Sequence, residues 1–194
     1  RDVERSRGLG DVYKRQDGDS RVIQPVKEKI ILGIDPGYAI VGWGVVEYSH
    51  SKFRVLGYGA ITTEATAPFP ERLQIIYNDM CYLFDKYKPE AMSMEKLFYN
   101  SNQKTVIDVA QARGVITLAA QMYGKDIFEY TPLQVKQSVT GYGRAEKKQV
   151  MEMTKSILGL KEVPKPDDTA DALAMAICHG HVSGSAINRL KNIL

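Results

Sequence analysis

Three segments with strand character follow one another before any helical pattern begins, and that order narrows the fold more than any other feature. Ile30–Ile34 is a short apolar run stopped by Asp35-Pro36-Gly37, which reads as a strand followed by a turn. Val41–Tyr48 and Phe53–Thr62 are rich in β-branched and aromatic residues and lie close together, so the first three strands are expected to form an antiparallel meander. Helical spacing then appears over Glu71–Tyr87, where apolar residues recur every three or four positions until Pro89. Ala91–Leu97 reads as a buried strand and Asp126–Tyr130 as another, with a long helix over Gln103–Tyr123 between them. Three helices close the chain. The first runs from Thr131-Pro132 to Val139, with Thr131 as N-cap and proline at the first helical position. The second covers Ala145–Leu158, and the third, capped by Asp167, continues to about His181. This order predicts an α/β fold, a mixed five-stranded sheet whose first three strands are antiparallel, flanked by helices.

The chain has 194 residues, enough for one domain with a real core. Residues 1–29 are polar and without apolar periodicity, so they are expected to be a disordered leader. Within it, Arg1–Gln16 also resembles translated adaptor sequence. Residues 30–183 are expected to form the folded domain and 184–194 a tail. No stretch reaches the roughly 18 consecutive apolar residues of a membrane span, and no signal segment opens the chain. Cys81 and Cys178 sit in apolar helical patterns, which suits buried thiols in a reducing compartment and makes the cytoplasm the expected location. Net charge is only +3, so nucleic-acid binding has to be argued from where charges sit.

Four acids stand out. Asp35 ends an apolar strand, where a lone charge is costly to bury, although it also suits the shaping of an Asp-Pro-Gly turn. Glu95 repeats the situation between the apolar neighbours Met92, Met94 and Leu97. Asp168 and Asp171 are three apart at the start of the last helix and so share a face. Acids in a first helical turn also simply complement the helix dipole, and Asp167 with Asp171 makes an alternative pair. Four converging carboxylates repel one another and make sense with divalent cations, for which hard oxygen ligands favour Mg²⁺ or Mn²⁺. Two such ions balance four charges and support hydrolysis of a phosphodiester.

Ile-Leu-Gly-Ile-Asp35-Pro-Gly, Met-Glu95-Lys-Leu-Phe98, Gln111-Ala-Arg-Gly114, Val135-Lys-Gln-Ser-Val-Thr-Gly141 and Asp168-Thr-Ala-Asp171-Ala-Leu-Ala together resemble the RuvC family of Holliday-junction resolvases. The likeness runs in order from about Ile30 to Ser183. It implies a ribonuclease-H-like fold and a homodimer that nicks two strands of like polarity at a four-way DNA junction during recombination and repair. It also implies two Mg²⁺ per subunit, with Mn²⁺ able to substitute, on the catalytic acids Asp35, Glu95, Asp168 and Asp171. The resemblance selects Asp168 over Asp167, and it implies a branch-migration motor complex as partner. A ribonuclease-H-fold module that binds nucleic acid or nucleotide without cutting is the alternative, against which the retention of all four acids speaks.

Other residues add to this picture. In the resembling family an aromatic at the position of Phe98 helps open the junction, and stacking on a base is the physical means. Lys136, Arg144, Lys147 and Lys148 bracket a glycine-rich turn and suit phosphate contacts, though a solvated charged face would look the same. Lys136 and Lys147 match family positions that engage the backbone at the cleavage site. His179 and His181 are expected to be structural, since four oxygens already serve the metals. The helix over Gln103–Tyr123 is apolar on more than one face, which implies a second partner and makes it the expected dimer contact.

Overall fold

A computed structural model describes residues 29–96 and 106–184. The elements run β1 (Lys29–Asp35), β2 (Ile40–Ser49), β3 (Lys52–Thr62), α1 (Phe69–Tyr87), β4 (Ala91–Glu95), α2 (Val106–Met122), β5 (Asp126–Tyr130), α3 (Pro132–Thr140), α4 (Lys147–Leu158) and α5 (Asp167–Gly184). They form one sheet in the order β3-β2-β1-β4-β5. The first three strands pair antiparallel, whereas β4 and β5 join β1 in parallel, as their helical crossovers require.

Alternation along the strands divides the core in two. Leu32 and Ile34 of β1, Val41 and Val45 of β2, and Met92 and Met94 of β4 pack beneath α1 and α2. The opposite face carries Ile31 and Val46, which pack with Leu173 and Ala176 of α5. Helix α5 lies unusually close to the sheet, because the residues beneath it are small. A Cβ on Gly33 would fall on the carbonyl oxygen of Ala172, and one on Gly42 on that of Asp168. Alternate alanines on α5 complete the close approach. Helices α3 and α4 pack outside α5 around Val135, Val139, Val150 and Ile177.

Several boundaries differ from the sequence-based expectation. Strand β1 opens at Lys29, paired with Tyr48, and α5 runs to Gly184. Helix α4 begins at Lys147, not Ala145, because Glu146 and Gln149 form a capping box there. Asp167 lies in the first turn of α5 instead of capping it. Thr131 does cap α3, with Gln134 returning the second bond. The leader, the tail beyond Gly184 and the segment 97–105 lie outside the described residues.

Candidate active site

Asp35 and Glu95 end neighbouring parallel strands. Ile34 pairs with Met94, so the two acids follow side by side, and by alternation both point to the α5 face. Asp168 and Asp171 arrive from the first two turns of α5, held down by the small residues of β1 and β2. The effect on Asp35 is large. Burial, then the charges of Asp171, Asp168 and Glu95, push its carboxyl up to about 8, with only Lys147 opposing them. Burial and Asp171 also raise Glu95, against the counteracting charges of Arg113 and Lys147. Asp171 is raised by burial despite its hydrogen bond to Lys147.

Asp167 is different. Its carboxylate turns to Lys165, 3.2 Å away, and this hydrogen bond holds it below the usual range. It is absent from the charges acting on Asp35, where Asp168 is present. Both adjacent acids belong to α5, but successive positions point roughly 100° apart around a helix, so only one can face the strand ends.

Lys147 reaches into the cluster from the first position of α4. Its Nζ lies 2.9 Å from Asp171 Oδ2 and 3.7 Å from Asp167 Oδ2. Burial opposes its charge, but the bond to Asp171 and the charges of Asp171, Asp167 and Asp35 hold its ammonium above the ordinary lysine value. Lys136 stands with Lys147, Glu95 and Asp171 around a cavity beside the acids. Arg144 and Lys148 are exposed near the start of α4, outside that cavity. Phe98 lies outside the described residues.

The acids gather but do not close up: among the described residues no three His, Cys, Asp or Glu side chains converge as a metal cage. The donor chemistry nonetheless fits divalent cations. All donors are hard oxygens, and burial together with the neighbouring acids keeps Asp35 protonated near neutrality.

Two arginines support the site, of which only Arg113 lies in a motif that the sequence singles out. Arg113 of α2 donates from Nη1 to the backbone oxygen of Glu95 at 2.5 Å and from Nη2 to the Glu129 carboxylate, tying α2 to the ends of β4 and β5. Arg72 is buried behind the Asp35 turn, bonded to Thr63 Oγ1 at 2.8 Å and stacked 4.6 Å over the Tyr38 ring. Both act across long sequence separations, which local spacing does not reveal. His179 is buried, with Nδ1 2.7 Å from the Tyr130 hydroxyl, and His181 meets Ser138; neither joins the acids.

Comparison with known proteins decides the family. The model described as crossover junction endodeoxyribonuclease RuvC matches residues 31–179. The chain belongs to the RuvC family. A RuvC crossover junction endodeoxyribonuclease of Ruminiclostridium cellulolyticum is 60% identical over 152 residues, covering 78% of this chain and 92% of that protein. The RuvC structure from Thermus thermophilus superposes with a TM-score of 0.75 at 35% identity, covering 79% of this chain and 95% of that one. A T. thermophilus RuvC in complex with Holliday junction substrate gives 0.73 at 33% identity, covering 79% and 94%. The fold is therefore that of RuvC, ribonuclease-H-like, and the RuvC family consists of divalent-metal-dependent nucleases. No helix of the described residues is long and apolar enough to cross a membrane.

Proposed function

We propose that Asp35, Glu95, Asp168 and Asp171 are the cation-holding, catalytic acids of this RuvC-family enzyme. The protein is a Holliday-junction resolvase, an endodeoxyribonuclease that hydrolyses phosphodiester bonds at four-way junctions in recombination and repair. One observation carries the site assignment: Asp35 and Glu95 end neighbouring parallel strands against the closely seated start of α5, where burial and three other acids push Asp35 up to about 8. Two Mg²⁺ per subunit suit this donor set, with Mn²⁺ substituting. When bound, the ions supply the positive charge that activates water and stabilises the leaving oxygen.

The chain's own groups do the rest. The ends of β1 and β4 hold Asp35 and Glu95 rigidly, and the close seat of α5 sets Asp168 and Asp171 opposite them. Lys147 neutralises Asp171 in the metal-free protein and is placed to turn to a DNA phosphate once cations take over that charge. Lys136, Arg144 and Lys148 extend the basic contact along the DNA backbone, and Phe98 stacks on a base to open the junction. The exposed apolar stripe of α2 forms the homodimer contact, and twofold symmetry then pairs the two cuts. A branch-migration motor supplies the junctions, in the cytoplasm.

The test uses the full chain with a synthetic four-way junction. Paired nicks in strands of like polarity are expected with Mg²⁺ or Mn²⁺ and none with a chelator. Tight binding without nicks at saturating Mg²⁺ would leave a non-cleaving ribonuclease-H-fold module as the better account.

A further inference from the structure

Arg72, near the start of α1, is only 8% exposed, and among the described residues its hydrogen-bond partners are neutral oxygens. Burying a cation without a carboxylate is costly, and an aliphatic side chain would fill the same space without that cost. What the guanidinium adds is direction, since its planar fork holds two acceptors in a fixed relation. Nε donates to Thr63 Oγ1 at 2.8 Å and Nη2 to the Tyr38 carbonyl oxygen at 3.3 Å. Thr63 Oγ1 in turn donates to that same carbonyl at 2.6 Å, which closes a triangle of bonds. The guanidinium also lies 4.6 Å over the Tyr38 ring, and the backbone N–H of Thr63 donates to the Ala39 carbonyl at 3.0 Å. All of these contacts converge on Tyr38 and Ala39, in the short connection between Asp35 at the end of β1 and Ile40 at the start of β2.

That connection needs holding. Asp35 is buried beside three other acids, whose negative charges repel its carboxylate while no cation is bound. Pairing with Gly42 fixes its backbone on the β2 side, but a strand-end residue followed by a loose turn can still swing outward. The turn itself is tight, since a Cβ on Gly37 would lie 2.2 Å from the Ile40 carbonyl oxygen. We propose that Arg72 is a positioning residue of the nuclease site: together with Thr63 it clamps the turn after Asp35 and keeps that carboxylate where cations are held. The inference rests on the nuclease function and acid assignment above and deepens them. Arg72 acts through the Tyr38 carbonyl and bonds to none of the four acids. A role confined to stability would lower the melting temperature and leave the folded enzyme its full rate and cation affinity.

The full chain with Mg²⁺ and a synthetic four-way junction provides the test. Thr63→Val replaces the hydroxyl by a methyl group of similar size and removes both side-chain bonds of Thr63, whereas Thr63→Ser keeps the hydroxyl. Thr63→Val should lower the single-turnover rate at saturating junction by about tenfold or more and raise the half-saturating Mg²⁺ concentration. Thr63→Ser should restore both to wild-type values, and junction affinity in chelator should be the same for all three proteins. Calorimetric titration with Mn²⁺ in the absence of DNA should give the same order, with Thr63→Val the weakest binder. Arg72→Lys keeps the charge but loses the fork, and should follow Thr63→Val. A folded Thr63→Val protein with wild-type rate and Mn²⁺ affinity overturns the clamp, as does a Thr63→Ser protein equally slow; wild-type cleavage in the same experiment leaves the nuclease function standing. Wild-type protein that cuts no junction overturns the nuclease function and the clamp with it. The threonine pair decides the question without Arg72→Lys, so misfolding of that variant does not protect the proposal.

Discussion

Asp35 shows how a residue proposed to hold a cation opposes its own fold. In the unfolded chain its carboxyl ionises near 3.8, whereas in the folded metal-free protein it holds its proton to about 8. Between those values the unfolded state loses the proton first, so this residue lowers stability progressively as pH rises from about 4 to about 8. Asp35→Asn should therefore abolish cleavage yet raise metal-free stability at pH 7, by up to about 4 kcal/mol at ~1.4 kcal/mol per pKa unit. Denaturant unfolding in chelator measures it; a clear loss of stability would mean that the carboxylate is structural. His179 works in the other direction. Burial, with Lys29 nearby, pushes its imidazole down to about 4 from an ordinary 6.5. The unfolded state takes up the proton first on acidification, so stability falls as pH drops from about 6.5 to about 4, by roughly 3 kcal/mol in all. His179→Gln can retain a bond to the Tyr130 hydroxyl without titrating, and should remove that part of the slope. An unaltered pH profile would show that His179 titrates alike in the folded and unfolded states.

The seat of α5 on the sheet decides whether four acids become one site. Gly42 pairs with Asp35 across β1 and β2, and its missing side chain makes room for the Asp168 carbonyl. Gly42→Ala would lift the start of α5 while adding only one methyl group. Overpacking of this kind costs about 1–3 kcal/mol. The larger effect should be on catalysis, since a displacement near 1 Å can reduce a rate by about 100-fold. Single-turnover cleavage beside a thermal melt separates the two; a variant that is less stable but equally active would show that α5 reseats freely. Helix α2 presents another case. Ala112, Ile116, Ala119 and Ala120 are buried against the domain, while Ile107, Leu118 and Met122 remain 67%, 55% and 66% exposed. These three lie on one stripe with Gly114, beside which a side chain would meet open space. Among the described residues, most of the apolar surface of these three side chains is thus left open.

At the level of the assembly, that stripe sets the expected stoichiometry. Leu118→Glu should convert a dimer to a monomer in sedimentation while the circular dichroism spectrum is preserved; an unchanged mass would place the dimer contact elsewhere. The fold itself was largely legible in the sequence. Strand alternation, the three strands before α1 and the Thr131-Pro132 cap are local features, written within a few residues of where they act. Boundaries shifted where a cap took over, as Glu146 did at α4. The four acids are visible as unusual residues, yet each has an ordinary local explanation, because convergence is not a local property. Asp167 and Asp168 are adjacent in sequence and chemically identical. What separates them is the rotation of α5 on its bed of glycine and alanine, which turns one toward Lys165 and sets the other's charge against Asp35. Arg72 has no local signal, and Arg113 lies in a family motif that does not reveal its contacts, since the partners of both arrive from other elements. Sequence alone therefore determined the elements, their order and the list of candidate acids. The tertiary structure alone decided which charges meet, because electrostatic coupling and desolvation depend on distances through space that only the packing of α5 against β1, β2 and β4 creates.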